Sequence, residues 1–486
     1  MRLTFVLAAA ALAATPAVAQ NPAASPAAAT ASSVARPFGT LREQAARQQR
    51  WLEQRLTTVL PGLMRKHGVD MWVVPMREYN EDPVFTSLVS PTTFAARRRT
   101  IYVFVDKCAA GAGASGAAPT PNAPASGDRP NADASCVERI ALGGTSQGGL
   151  YTAARSTRAI TGGPPGRQAE LWGDEQWLAL KDVIEARNPR AIGINVSRTF
   201  AFSDGLSAGE LEGMSEALGT RWTSRFKRAE ALPLELIATR VADEEAFFTE
   251  LTKLVHQLIA RMFSSEVIRP GATKTSDLVW WWRQQLTDLG LGTWFQPSVD
   301  VQRRGVSAEQ LGDDPVIQRG DVLHCDVGIT AMRLNTDTQH NAYVLREGET
   351  DAPAGLRKAL ANSNRFQDIL MEEVRPGRTG NEVLASSLAK LKAEGITGTM
   401  YSHPIGMHGH GAGPLIGLWD LQSGVPGRGD ATIIANMWYS SELQATTPVP
   451  EWSEQPVRMA QEEDFFVGSS GNRWAYQRQA QLHIVR

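Results

Sequence analysis

The sequence predicts an α+β fold with two domains, of which the second consists of two similar halves around a pseudo-twofold axis. Strand-like and helical segments alternate over residues 38–230, which is typical of an α/β domain. The motif IRPGAT at residues 268–273 recurs as VRPGRT at residues 374–379, and each copy stands between two helical stretches. The chain has 486 residues, 42% of them hydrophobic, which is enough to bury more than one core.

The composition excludes several classes of protein. The 49 Lys and Arg residues are balanced by 51 Asp and Glu residues, so the net charge is −2 and there is no broad basic field for nucleic acid. Three cysteines cannot form a disulfide framework or a thiolate zinc site. After the first twenty residues, no uninterrupted apolar run is long enough to span a bilayer. The composition therefore predicts a soluble multidomain protein with no nucleic-acid partner and no stable membrane insertion.

Residues 1–19 are predicted to be a secretory signal peptide. Arg2 precedes an apolar stretch, Leu3–Ala14, and Ala17-Val18-Ala19 has the small-x-small pattern of a cleavage site. Residues 20–37, which are rich in Ala and Pro, are predicted to be a linker. We therefore expect the protein to be exported, either to the periplasm or out of the cell.

Export changes the interpretation of two cysteines, because an exported protein meets an oxidising compartment. Cys108 and Cys136 flank an insertion, residues 109–135, that is rich in Ala, Gly, Pro and Ser. The pair is expected to close the insertion as a disulfide-stapled loop, and two unpaired thiols are the alternative.

The first domain is predicted to span residues 38–231. It begins with a helical pattern over residues 41–68 and contains no nucleotide-binding loop or nucleophile motif, so we interpret it as a scaffold or gate. Its strand candidates are short apolar runs at residues 69–76, 100–105, 139–142 and 191–196.

The second domain is predicted to span residues 232–486 and contains the repeat. In each copy a Pro-Gly turn joins two helices, Thr273 or Thr379 is the predicted N-cap, and the second helix ends at Gly290 or Gly395. Two copies are too few for a solenoid. The halves are therefore expected to pack together, with the functional site between them.

Five motifs in the second domain carry acidic or imidazole side chains in a fixed order. A strand-like segment ends at Asp326, and Asp337 follows eleven residues later, so that a hairpin can bring the two side by side. Three of the eight histidines fall within residues 403–410 (HPIGMHGH). Two later strand-like segments then contribute Glu442 and Glu462. Each motif alone is weak, since a single Asp at a strand end is usually a turn or cap residue.

Taken together, the five motifs resemble those of the pita-bread metallopeptidases, the family of methionine aminopeptidase, aminopeptidase P and prolidase. The family pattern is Asp, a second Asp eleven residues on, His-x-x-Gly with a second His seven residues after the first, and then two Glu. The resemblance covers about residues 232–486. The N-terminal half resembles the α/β domain that precedes the catalytic domain in aminopeptidase P, prolidase and creatinase. The resemblance therefore implies a pita-bread catalytic domain behind a creatinase-like N-terminal domain.

The resemblance also implies a set of metal ligands and a catalytic histidine. The implied ligands are Asp326, Asp337, His403, Glu442 and Glu462. The implied catalytic residue is His410, seven residues after the histidine ligand. Glu462 matches the family better than Glu463 does, because Phe465 and Gly471 follow it at the family's spacing.

The charge of this set favours bound cations. Four carboxylates and an imidazole in one cleft carry a charge of −4, and like charges that close would force protonation. Two divalent cations cancel that charge, and two of the carboxylates can bridge them. Mostly oxygen ligands with one imidazole favour Mn²⁺, with Co²⁺, Fe²⁺ or Zn²⁺ as alternatives.

The function that the resemblance implies is that of an exported dinuclear metal-dependent exopeptidase, most like an Xaa-Pro aminopeptidase. Such an enzyme hydrolyses the N-terminal bond of peptide substrates with a metal-activated water, and the family resemblance is also compatible with a homodimer. Two alternatives use the same fold: a metal-independent, creatinase-like amidinohydrolase and a non-catalytic peptide-binding module. Both have lost metal ligands, whereas all five are present in this sequence.

Three departures from the family pattern leave the proline specificity open. Aminopeptidase P and prolidase carry a further histidine upstream of the first Asp, and residues 295–321 contain none. Gly411 follows His410 where the family has an acidic residue. Arg458 lies two residues farther from Glu462 than the corresponding family arginine.

Overall fold

The structure is a computed structural model that describes residues 36–97, 99–108, 136–154 and 175–486. The predicted signal peptide, most of the predicted linker and the predicted insertion lie outside the described residues. The described residues from 36 onward form one compact unit. Among the described residues, no helix is long and apolar enough to cross a membrane.

Helices and strands alternate along the described chain. The α-helices are α1 (Leu41–Gln54), α2 (Leu60–Lys66), α3 (Phe85–Leu88), α4 (Glu175–Arg187), α5 (Ala208–Leu218), α6 (Thr220–Thr223), α7 (Ala231–Ala238), α8 (Ala242–Met262), α9 (Thr275–Asp288), α10 (Ala308–Leu311), α11 (Ala354–Glu373) and α12 (Gly380–Ala393). A π-helical turn, Arg55–Val59, joins α1 to α2, so the predicted long N-terminal helix runs with this one irregularity.

The strands of the N-terminal half form one six-stranded sheet in the order β4-β3-β2-β1-β5-β6. They are β1 (Met71–Met76), β2 (Thr100–Asp106), β3 (Val137–Leu142), β4 (Thr152–Ala154), β5 (Ile192–Ile194) and β6 (Phe226–Arg228). Every residue of β1 and β2 is buried, which explains their continuous apolar sequences. All four predicted strands are present in this mixed sheet.

The strands of the C-terminal half form three sheets and a short hairpin. They are β7 (Ser298–Gln302), β8 (Val322–Val327), β9 (Thr330–Ala331), β10 (Leu334–Asn335), β11 (Thr338–Val344), β12 (Thr397–Met400), β13 (His403–Pro404), β14 (Trp438–Ser440), β15 (Leu443–Val449), β16 (Gln455–Gln461), β17 (Asp464–Phe466), β18 (Arg473–Trp474) and β19 (His483–Val485). The sheet orders are β19-β11-β8-β7, β12-β15-β16 and β13-β14-β17-β18, and β9 pairs with β10. The predicted α+β fold class is therefore confirmed.

Cys108 and Cys136 form a disulfide, with their Cα atoms 5.5 Å apart. The bond joins the chain just after β2 to the start of β3, on either side of the insertion. Of the two alternatives for these cysteines, the structure therefore has the disulfide. Cys325 is a buried free thiol in β8.

The internal repeat forms two similar helix–turn–helix units, α8–α9 and α11–α12. At the Pro-Gly turns, Gly271 N donates to Ile317 O at 2.8 Å, and Gly377 N donates to Ile433 O at 2.9 Å. Both glycines have a left-handed backbone, with φ of 83° and 93°, which side chains other than Gly rarely adopt. In both halves the glycine of the Pro-Gly turn therefore donates a backbone hydrogen bond to an isoleucine farther along the chain.

The predicted threonine N-cap is right in one copy and wrong in the other. Thr379 caps α12, since its hydroxyl accepts a hydrogen bond from Glu382 N at 3.2 Å. In the first copy the N-cap of α9 is Lys274, and Thr273 instead accepts from the backbone N–H of Arg269. The exposed N–H groups at the start of α9 are satisfied by aspartates, because Asp277 accepts from Lys274 N and Asp314 from Ser276 N.

A buried arginine ties the π-helical turn to the start of the C-terminal half. Arg55 donates to the carbonyls of Leu236 and Thr239 at 3.0 and 2.6 Å, and to the Glu244 carboxylate at 2.5 Å. Arg240 lies 4.0 Å from the same carboxylate, and burial lowers its pKa to about 9. Glu244 is therefore the counter-ion of two buried guanidinium groups.

Replacing Glu244 with Ala is expected to lower the free energy of unfolding by about 3–5 kcal/mol, because it leaves two buried cations without their carboxylate. Denaturant unfolding followed by circular dichroism measures this change. The matched control is Glu266→Ala, which removes the exposed partner of Arg261 and should leave the free energy of unfolding nearly unchanged. Similar effects from both variants would contradict the role of Glu244 as a buried counter-ion.

Candidate metal centre

The structure brings the five predicted ligand residues together where strands of the two C-terminal halves meet. Their positions are Asp326 in β8, Asp337 just before β11, His403 at the start of β13, Glu442 between β14 and β15, and Glu462 between β16 and β17. The first two belong to the first half and the other three to the second half. The cluster thus lies between the halves, at the place expected for a functional site.

The register of the strands differs in one detail from the predicted hairpin. Asp326 is paired across β8 and β11 with Gln339, and Asp337 lies two residues before that position. Side chains two residues apart in an extended chain share a face. All three side chains therefore point into the cluster.

The imidazole of His403 faces three carboxylates through Nε2. His403 Nδ1 lies 3.0 Å from Pro404 O, which can only accept, so Nδ1 donates a hydrogen bond there and Nε2 is the nitrogen left to bind a ligand. Nε2 is 3.7 Å from Asp337 Oδ2, 3.6 Å from Glu442 Oε2 and 3.3 Å from Glu462 Oε1. The His403 side chain is fully buried. A metal ion bound between these atoms would satisfy the imidazole nitrogen and the carboxylates together.

Several polar atoms of the cluster have no protein partner. Among the described residues, the buried atoms that lack any hydrogen bond include Asp326 Oδ1, Asp337 Oδ1, His403 Nε2 and Glu462 Oε1. Buried polar atoms are almost always satisfied in native proteins. The donor set therefore fits a metal ion, which would bind these atoms directly.

The electrostatics of the cluster lead to the same conclusion. Burial, reinforced by the nearby Glu462 carboxylate, raises the pKa of Asp326, Asp337 and Glu442 well above the ordinary values. Without a counter-charge these carboxyl groups would hold protons. Divalent cations would remove that cost, because they supply the positive charge that the protein lacks here.

The ligand atoms divide into two groups that share Glu462. We call Asp337, His403 and Glu462 the imidazole subsite, and Asp326, Glu442 and Glu462 the carboxylate subsite. Within each subsite, one ligand atom from each residue lies within 4.8 Å of the other two. Oxygen ligands with a single imidazole would suit Mn²⁺, Fe²⁺ or Co²⁺, and Glu462 belongs to both subsites.

A second buried cluster lies on the other side of the segment that carries Glu462, and its side chains are joined by hydrogen bonds. Glu463 accepts from His256 at 3.0 Å, from His340 at 2.9 Å and from Gln479 N at 2.7 Å, and His340 Nδ1 lies 3.0 Å from His483 Nε2. Burial would raise the pKa of Glu463, but the two imidazoles outweigh it and hold that pKa at about 2. The carboxylate is satisfied by donors, so this cluster does not require a metal ion.

Sequence reasoning missed this second cluster because its members are far apart in the chain. His256 lies in α8, His340 in β11 and His483 in β19, and no spacing relates them. Adjacent residues in an extended chain point to opposite faces. Glu462 therefore faces the first cluster, and Glu463 faces the second.

His410 lies beside His403, and the two other histidines of the motif have different surroundings. The ring of His410 is 4.8 Å from that of His403, 5.1 Å from Trp294 and 5.6 Å from Tyr401. Burial, followed by the neighbouring imidazole of His403, lowers the pKa of His410 to about 4, so its imidazole is neutral near pH 7. His408, to which the sequence assigns no role, instead packs against Phe202 of the N-terminal half at 4.7 Å.

Two further residues complete the surroundings of the cluster. Gln339 hydrogen-bonds to three of the carboxylates, and His324 hydrogen-bonds to Gln339 at 2.9 Å and to Asp300 at 3.3 Å. For Gln339 the sequence contained one usable signal, its position two residues after Asp337 on the same face. His324 thus supports the cluster through Gln339, while its neighbour Cys325 is fully buried in the core on the opposite face.

Comparisons with known proteins agree with this geometry. No curated protein matches the chain in sequence. The model of metallopeptidase family M24 matches residues 248–468, the region that contains all five predicted ligands and His410. The family expected from the motifs is therefore confirmed for this region.

Solved structures with the same fold cover most of the chain. X-Pro aminopeptidase from Thermotoga maritima is 15% identical, with 87% of this chain and 100% of that chain covered and a TM-score of 0.57. For Xaa-Pro dipeptidase from Bacillus anthracis the values are 16%, 90%, 99% and 0.52. For the N-terminal domain of the FACT complex subunit SPT16 from chickpea (Cicer arietinum) they are 12%, 90%, 99% and 0.54.

These likenesses establish a two-domain fold and leave the substrate open, because an aminopeptidase, a dipeptidase and a FACT subunit all share it. The matched family is one of peptidases, and the buried carboxylate and histidine clusters are of the kind that hold divalent metal ions. Residues 248–468 are therefore a peptidase domain of metallopeptidase family M24, built on the pita-bread fold and preceded by an α/β domain.

Proposed function

We propose that the protein is an exported dinuclear metal-dependent exopeptidase, most like an Xaa-Pro aminopeptidase, that acts on peptides. The observation that carries the proposal is the position of His403 Nε2, which faces three carboxylate oxygens at 3.3–3.7 Å in a fully buried position. Neither alternative function, the metal-independent amidinohydrolase or the peptide-binding module, accounts for this arrangement. Both would leave the buried carboxylates without a counter-charge.

In the proposed centre each subsite holds one divalent ion, with Mn²⁺ favoured over Co²⁺, Fe²⁺ and Zn²⁺. Bound ions of this kind acidify a water molecule and polarise a carbonyl group, which supplies both a nucleophile and an electrophile. Glu462 belongs to both subsites, so it sets the distance between them. The Nδ1–H bond from His403 to Pro404 O fixes the imidazole tautomer that binding requires.

His410 is the proposed catalytic residue outside the ligand set. Because its imidazole is neutral near pH 7, its N–H can donate a hydrogen bond that stabilises the oxyanion of the tetrahedral intermediate. Trp294 and Tyr401 pack edge-on against the ring and limit its rotation.

Export is part of the proposal and is supported by the signal-peptide pattern of residues 1–19 and by the Cys108–Cys136 disulfide. Disulfides form and persist in oxidising compartments. The proposed enzyme is a homodimer, which is compatible with the family resemblance, and dimerisation does not change the ligand set.

The first prediction concerns metal content. His403→Ala is expected to lower bound Mn²⁺ from about two ions per chain to one or fewer, and to lower kcat/KM by at least about a hundredfold, because it removes the nitrogen ligand of the imidazole subsite. Elemental analysis after equilibrium dialysis against saturating Mn²⁺, with the free Mn²⁺ subtracted, measures the content. His67→Ala is the matched control, since this half-buried imidazole pairs with Glu235 far from the centre. Unchanged metal content in His403→Ala would refute the ligand assignment.

The second prediction concerns the substrate. With Mn²⁺ supplied, the enzyme is expected to release one N-terminal residue from Xaa-Pro-Xaa peptides in a panel that also contains Xaa-Pro, Met-Xaa and Xaa-Ala-Xaa, with products identified by mass spectrometry. Cleavage of the other peptides would keep the hydrolytic mechanism and discard the proline specificity. Failure of the fully metallated enzyme to cleave any of them would contradict the peptidase proposal and point to a non-peptide amide substrate.

The third prediction concerns export. When the full chain is expressed in a bacterial host, the periplasmic or secreted protein is expected to begin at Gln20, because cleavage follows the Ala17-Val18-Ala19 pattern. N-terminal sequencing after cell fractionation measures this. A variant with Ala17 and Ala19 replaced by Arg is the control, and it should remain unprocessed. Retention of the unmodified chain in the cytoplasm with an intact N-terminus would refute the export proposal.

A further inference from the structure

Gln339 occupies the middle of the carboxylate subsite because its backbone lies between those of Asp326 and Glu462. On one side it is paired with Asp326 across β8 and β11. On the other side it exchanges two backbone hydrogen bonds with Glu462, at 3.1 and 3.2 Å. The strands therefore hold this residue between two carboxylates, and its side chain is only 3% exposed.

The amide nitrogen of Gln339 contacts all three carboxylates of that subsite. Nε2 lies 2.8 Å from Glu462 Oε2, 2.9 Å from Glu442 Oε1 and 3.4 Å from Asp326 Oδ2. A primary amide has two N–H groups, so three acceptors around it are one more than it can satisfy. The same three residues form one of the groups of side chains that can hold a metal ion.

His324 determines which end of the amide points at the carboxylates. Its Nε2 is 2.9 Å from Gln339 Oε1, and its Nδ1 is 3.3 Å from Asp300 Oδ2. With Oε1 engaged by the imidazole, the nitrogen end of the amide faces the three oxygen ligands. The amide thus presents hydrogen-bond donors to the atoms that a cation would bind.

The imidazole subsite contains no such donor. His403 Nε2 and Glu462 Oε1 lack a hydrogen-bond partner within the described part of the chain, and so does Asp337 Oδ1. The two subsites share Glu462 but differ in this respect. In the carboxylate subsite, one oxygen of each carboxylate already accepts from the Gln339 amide, whereas in the imidazole subsite each residue has a ligand atom without a partner among the described residues.

We propose that Gln339 competes with one of the two metal ions, so that the protein binds one divalent cation tightly at the imidazole subsite and a second one weakly at the carboxylate subsite. To bind there, the second ion must displace the amide from Glu442 and Glu462. Hydrogen bonds to charged groups are among the stronger ones, so this competition weakens the second site substantially. This inference rests on the metal centre of the proposed function and adds an order of binding and a difference in affinity.

The test is a titration of the chelator-treated full chain with Mn²⁺ by isothermal calorimetry. The unmodified protein is expected to show two unequal sites, and Gln339→Ala is expected to lower the Kd of the second ion by about tenfold to a hundredfold with little change at the first. Gln339→Met has nearly the same side-chain volume without the amide, so it separates competition from loss of packing. Gln147→Ala, which removes another buried glutamine amide far from the centre, is the control and should leave both Kd values unchanged.

Electron paramagnetic resonance gives a second readout that does not depend on activity. At one equivalent of Mn²⁺ the unmodified protein should show mainly isolated ions, whereas Gln339→Met should show spin-coupled pairs at lower Mn²⁺ concentrations than the unmodified protein does.

The outcomes separate this proposal from the proposed function. Weaker binding of the second ion in Gln339→Ala and Gln339→Met would make Gln339 a ligand and overturn the competition. Two equal sites in the unmodified protein, or no change in either variant, would overturn it while leaving the metal centre intact. Absence of Mn²⁺ binding in every variant would overturn both this proposal and the proposed function.

Discussion

The arrangement of the C-terminal domain depends on one electrostatic constraint. Four carboxylates and one imidazole are buried together where its two similar halves meet. Such a set is unfavourable in a protein interior unless positive charge is added. The strands that carry these side chains come from both halves, so neither half can hold the set alone. The pita-bread packing and the need for a cation are therefore two aspects of the same constraint.

Two adjacent glutamates illustrate how the structure treats a buried carboxylate in two ways. Glu463 is surrounded by donors from His256, His340 and Gln479, and its pKa is lowered to about 2. Glu462 faces other acceptors and has an oxygen without any hydrogen bond. The first is stabilised by the protein itself, whereas the second requires a ligand from outside. Clusters of side chains that could hold a metal ion can thus be distinguished by whether hydrogen-bond donors of the protein already satisfy their oxygen atoms.

Gln339 satisfies only part of the cluster. Its amide donates hydrogen bonds to the three carboxylates of the carboxylate subsite and none to Asp337 or His403. The proposed asymmetry between the two ions follows from this one side chain, whose orientation depends on His324 behind it. A centre with the complete set of family ligands can therefore still differ from its relatives in how it binds metal. The aromatic residues around His410 and the missing upstream histidine give further scope for a different substrate preference.

Local chemistry let the sequence determine much of this protein: the apolar runs of β1 and β2, the left-handed glycines of the repeated turns, the family motifs and the order of the ligands. Only the tertiary structure decided which carboxylates accept from the first N–H groups of α9, that Asp326 is opposite Gln339, that His408 contacts the N-terminal half, and that His256 and His340 meet at Glu463. The physical reason is the range of the interactions. Strand periodicity, turns and caps act over a few residues, whereas register and burial bring together residues hundreds of positions apart.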